Sequence, residues 1–155
     1  MDVKALQGRA VVAISQADKL GHVVDVLFET SPLRVVALRL EADGPESVVP
    51  FEQVRSIGAD AITVEDAAAA ESGRGLAAYR DLPGIELMTS LKVVDENGTL
   101  RGKVETLDLD AETGRVIRIR THKGGLMGVG VERHTMSAGA IRQVGAEVIT
   151  VAVTP

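Results

Sequence analysis

The chain contains no cysteine and no tryptophan, and its 155 residues include only three aromatics, Phe28, Phe51 and Tyr79. Without cysteine there is no disulfide framework, no thiol nucleophile and no thiolate zinc site. So few aromatics leave no stacking platform for bases, and a net charge of -5 opposes tracking along phosphates. No apolar run approaches the roughly 18 residues of a membrane helix, and the opening MDVKALQGRA lacks a signal-peptide apolar core. These absences lead us to expect a soluble cytoplasmic protein with no membrane span, no cofactor and no nucleic-acid partner. Helical periodicity is scarce as well, since no stretch outside the middle of the chain offers ten or more residues with a helical apolar stripe.

What is present is a repeat. VRSIGADAITV, residues 54–64, returns as IRQVGAEVITV, residues 141–151. Further upstream Gly21 falls on Gly102, Val23 on Val104, Phe28 on Leu109, Arg34 on Arg115 and Leu38 on Ile119 at a constant offset of 81, which becomes 87 by Val54/Ile141. The second copy therefore carries six extra residues, within the Gly-rich stretch THKGGLMGVGVERHTM, read as a lengthened hairpin loop. An internal repeat takes precedence over length in counting domains. We expect a first unit over 1–66, a linker over 67–84 and a second, divergent unit over 85–155. Charge divides unevenly: residues 1–66 hold six Lys/Arg against eleven Asp/Glu, and residues 83–155 hold nine of each.

Within each unit the runs are short and Val-rich: RAVVAI, HVVDVLFE and LRVVALRL in the first, SLKVVD, GKVETLDLD and GRVIRIRT in the second. Turn formers such as DKLG, TSP, ENGT and AETG separate them. Short strands at such spacing predict an all-β chain of two small antiparallel barrels, closure removing the exposed edges. In the linker, Asp66 is placed to N-cap a short helical turn in the alanine run, and Pro83 to stop helix further on.

The order LGHVVDV (20–26), RVVALRL (34–40) and VVPFEQVRSIGADAITV (48–64) resembles the PRC-barrel domain family, the small β-barrel of the photosynthetic reaction-centre H subunit and of the ribosome maturation factor RimM. Pro50-Phe51-Glu52 followed by Ile57-Gly58 and the closing Thr63-Val64 carry most of the likeness. LRGKVETLDLD and IRQVGAEVITV repeat the scheme, with Ser137-Ala138-Gly139 where the first copy has Pro50-Phe51-Glu52. The resemblance implies a non-enzymatic binding and assembly module. It also places Gly58 and Gly145 at the turn before each closing strand, where a positive φ would suit glycine, with Ile62, Val64, Ile149 and Val151 facing inward.

Candidate sites follow from alternation. If Val36, Leu38 and Leu40 face one core, then Val35, Ala37 and Arg39 face out; the matching outward row in the second unit is Val116, Arg118 and Arg120, with Ile117 and Ile119 inward. One unit would present an apolar row and the other a basic one, continued by His122 and Lys123. Together with Met127 and His134 of the inserted loop, these rows are the candidate surface for a protein partner or a second copy of the chain. Two alternatives remain: a ribosome-assembly factor like RimM, and a small metal- or ligand-binding protein in which His122, His134 and Glu132 meet across the 122–134 hairpin. The run from Asp108 to Gly114 reads as a polar turn, since its glycine comes at the seventh place and Ile119 stands where a calcium loop needs Glu. HKGGLMGVG lacks both the phosphate-loop pattern and a following helix. Ser137 near His134 has no nucleophile elbow around it.

Overall fold

A computed structural model describes residues 1–124 and 130–153. The first unit contains β1 (Ala10–Ala13), β2 (Asp18–Thr30), β3 (Leu33–Glu41), β4 (Ser47–Pro50), β5 (Val54–Ile57) and β6 (Ala61–Val64). The second contains β7 (Lys92–Asp95), β8 (Leu100–Leu109), β9 (Val116–Lys123), β10 (Glu132–Ser137), β11 (Ile141–Val144) and β12 (Val148–Val151). The two sheets have the same strand order, β4-β3-β2-β1-β6-β5 and β10-β9-β8-β7-β12-β11. The all-β tandem expected from the repeat is what the chain forms. Its sheets are not antiparallel throughout, however: β1 pairs in parallel with β6 (Val11 opposite Ile62), and β7 with β12 (Val93 opposite Ile149). The order leaves β4 and β5 at opposite ends of their sheet, joined by one 3-10 turn over Phe51–Gln53, and Ala138–Ala140 makes the same connection between β10 and β11.

Ile62, Val64, Ile149 and Val151 are buried, as their alternation requires. Gly58 and Gly145 have ordinary backbone angles, contrary to expectation. Space accounts for them, because a Cβ would stand 3.2 Å from the Ala61 carbonyl oxygen and 3.1 Å from that of Val148. Positive φ is needed at Gly21 (148°) and Gly102 (130°), where β2 and β8 cross the ends of β3 and β9 so closely that a Cβ would meet the carbonyls of Glu41 and His122 at 2.6 and 2.7 Å.

The units are joined reciprocally. Residues before β1 run along the second unit: Leu109 donates its N–H to the Met1 carbonyl at 2.8 Å, and the Thr106 hydroxyl donates to Asp2. Residues before β7 run along the first: Phe28 donates to the Pro83 carbonyl at 2.9 Å, and Ile85 N–H donates to Asp25 at 3.0 Å. Phe28 and Leu109 are equivalent in the repeat, and Arg34 bridges Arg115, its own equivalent, so the contacts follow an approximate two-fold relation. Val3 and Leu6 from one arm, and Ile85, Met88 and Leu91 from the other, enter a single core cluster drawn from both units. Exchange of arms lets two sheets of six strands, each small for an independent core, share one buried volume.

Candidate functional site

The two units present the same sheet face to different surroundings. In the first unit the outer face of β2, β3 and β4 carries Leu27, Ala37 and Val48, and these pack beneath Leu76, Tyr79 and Leu82 of the linker. The linker begins as predicted: Asp66 accepts the Ala68 N–H at 2.8 Å and caps the turn Ala67–Ala69. It then passes the outer edge of β4, where Val48 and Glu71 exchange two backbone hydrogen bonds of 2.8 Å. A helical turn, Arg74–Ala77, follows. Burial, with Glu71 and Glu52 nearby, holds the Tyr79 hydroxyl above its ordinary pKa and so neutral. Beside it Arg39 reaches Glu46 at 3.2 Å and Asp25 at 3.9 Å.

In the second unit the equivalents of Leu27 and Ala37 are Asp108 and Arg118, and Val48 corresponds to Thr135. Asp108 is buried, and its Oδ2 accepts Nε–H bonds from Arg118 at 3.3 Å and Arg120 at 2.9 Å. Its Oδ1 has no hydrogen-bond partner among the described residues. The two arginine side chains stay about half exposed, at 50% and 48%. Cross-strand partners share a face, so pairing of Arg120 with Thr135 and of His122 with both Lys103 and Arg133 places all of these on the same outer surface. Arg133 pairs with Glu105 at 3.2 Å. The surface thus gathers Lys103, Arg118, Arg120 and Arg133 against Glu105 and Asp108.

Several expectations change. Val35 and Ala37 are buried rather than outward: Val35 donates its N–H to Gly114 of the second unit and joins the shared core, while Ala37 lies under the linker. Val116 is likewise buried and Ile117 is 40% exposed, the reverse of the predicted alternation. Register shifts at Leu27/Phe28 and Asp108/Leu109 break the pattern next to the inter-unit contact. Arg118, Arg120 and His122 do form the predicted row, but Lys123 falls on the other face of β9, opposite Glu132, and bonds the Leu100 carbonyl at 3.1 Å. His134 pairs with Thr121 and so lies on the face opposite His122, which separates the imidazoles of the suggested metal site. His134 instead approaches Glu132 at 3.6 Å. Among the described residues no group of three metal-ligating side chains converges. Met127 lies outside the described residues. The carboxylate that organises the face, Asp108, is absent from the sequence-derived site; the signal for it was a charged residue standing where the other copy has Leu27.

The corner that differs between copies also differs in packing. Phe51 lies against Gly114, whose added Cβ would meet the ring at 2.9 Å. The equivalent contact exchanges large for small, with Ala138 in place of Phe51 and Leu33 in place of Gly114. A cavity of about 350 Å³ remains there, lined by residues including Ser31, Arg115, Ala138 and Arg142.

Among the described residues no helix is long and apolar enough to cross a membrane. The model of the PRC-barrel domain family matches residues 1–70. No curated protein matches the chain.

Proposed function

From the premise that residues 1–70 are a PRC-barrel domain, we propose that the chain is a non-enzymatic protein-binding adaptor of the cytoplasm, which uses its second unit to hold an acidic partner. One observation carries the reading. Two faces built on equivalent strands differ in cover: that of β2-β3-β4 has an apolar centre closed by the linker, while that of β8-β9-β10 is basic and leaves Arg118 and Arg120 about half exposed and Arg133 more so. Four basic side chains against two carboxylates leave this surface with a positive excess, which steers an oppositely charged partner and fixes its orientation. Arg118 and Arg120 are held on a buried carboxylate, and groups already positioned lose less freedom on binding.

Proteins recovered with the chain from its own cells would be purified and recombined with it, and association followed across salt concentration. We expect binding that weakens as salt rises and falls about tenfold in Lys103→Glu/Arg133→Glu, whose changes lie away from buried Asp108. Association indifferent to both would overturn the assignment of this face.

A further inference from the structure

We propose that the outer edge of β10 is a strand-addition site for an extended acidic segment of the partner, which would join the second sheet as the linker joins the first. The inference rests on the partner-binding reading above and specifies how the partner engages.

The first unit supplies the template. Val48 directs both its N–H and its carbonyl away from β3, toward Glu71, and the pairing is antiparallel. Val48 stands opposite Arg39, and its equivalent Thr135 stands opposite Arg120, so the registers agree. Thr135 therefore directs its backbone groups outward in the same way. Antiparallel ladders alternate between bonded and non-bonded pairs, so Arg133, two residues away, does the same. β10 is the terminal strand of its sheet, and among the described residues nothing pairs with that edge. The first unit meets this problem with its own chain, whereas in the second, among the described residues, a row of donors and acceptors stays open beside Arg120 and Arg133.

The chemistry of the occupant follows from the face next to that edge. A strand added beside β10 alternates its side chains, and those opposite Arg133 and Thr135 lie on the basic surface. Carboxylates at alternate positions would reach Arg133 and, across β10, Arg120. Main-chain bonds would supply affinity and the carboxylates selectivity, the division usual in strand addition. The covering segment of the first unit is itself acidic at the contact, through Glu71.

The test uses the full chain and a short blocked peptide alternating Glu and Val, with a Gln-Val peptide for comparison. Amide exchange read by NMR should show protection of Arg133 and Thr135 on adding the Glu-Val peptide, and about tenfold weaker binding of the Gln-Val peptide. Thr135→Pro removes the outward N–H without taking a bond from β9, a position where an edge strand tolerates proline. It should leave the spectrum of the first unit unchanged and weaken the peptide about tenfold, the worth of one or two backbone bonds. Arg133→Glu, which leaves the backbone untouched, should weaken it comparably. Equal binding to Thr135→Pro, protection at some other edge, or no binding of the acidic peptide would overturn the proposal, leaving β10 an edge merely blunted by charge. If the purified natural partner binds the Lys103/Arg133 face without protecting these two amides, the adaptor reading survives and strand addition does not.

Discussion

Asp108 shows how a single substitution between copies changes the character of a sheet. Its counterpart Leu27 packs under the linker, whereas Asp108 is buried with one oxygen bonded to two arginines and the other unpaired among the described residues. Removing the arginines would leave a buried, uncompensated carboxylate. We therefore expect Arg118→Ala/Arg120→Ala to cost about 3 to 5 kcal/mol in urea unfolding, while Asp108→Leu/Arg118→Ala, which copies the first unit, should lie within about 1 kcal/mol of the parent. A second prediction concerns Asp95. The Thr99 N–H bond is the largest influence holding its carboxyl below the ordinary 3.8, with the Asn97 N–H and Arg101 adding to it. A depressed native pKa contributes stability above the unfolded value, and that contribution disappears as pH falls through the native one. Asp95→Asn should accordingly flatten the acid limb of the stability curve below about pH 4, measured as unfolding midpoint against pH. Residue identity was easy to align from the repeat; the partners of Asp108 were not, because Arg118 and Arg120 reach it only through the register of β8 on β9.

At the scale of elements, strands and turns were legible because Val-rich alternation and turn chemistry agreed with each other. Direction of exposure was less so. Alternation told which side chains share a face, but Ala37 and Val35 are buried by what lies over that face, the linker in one case and the second unit in the other. The linker reads in sequence as little more than a spacer, although Leu76, Tyr79 and Leu82 make it a third layer on the first sheet. Leu76→Ser should destabilise the chain by about 1 to 2 kcal/mol and speed proteolysis between Glu71 and Leu82, since it removes a partly buried apolar side chain from the cluster of Leu27, Ala37 and Val48. Unchanged cleavage would mean that the linker does not depend on this packing.

For the whole molecule, the duplication was visible and the exchange of arms was not, because a repeat fixes the number of units and says nothing of which segment packs on which. Met1–Leu6 and Pro83–Met88 each serve the opposite unit, so the two sheets share a core and neither is complete alone. That symmetry makes the remaining asymmetry informative: one edge strand is sealed by its own chain, and its equivalent, among the described residues, is open on a basic surface. Native-state amide exchange on the purified chain tests this most directly. The account predicts strong protection of the Val48 and Glu71 amides, with Arg133 and Thr135 exchanging at rates near those of an unstructured peptide. Protection of Arg133 and Thr135 equal to that of Val48 would contradict it.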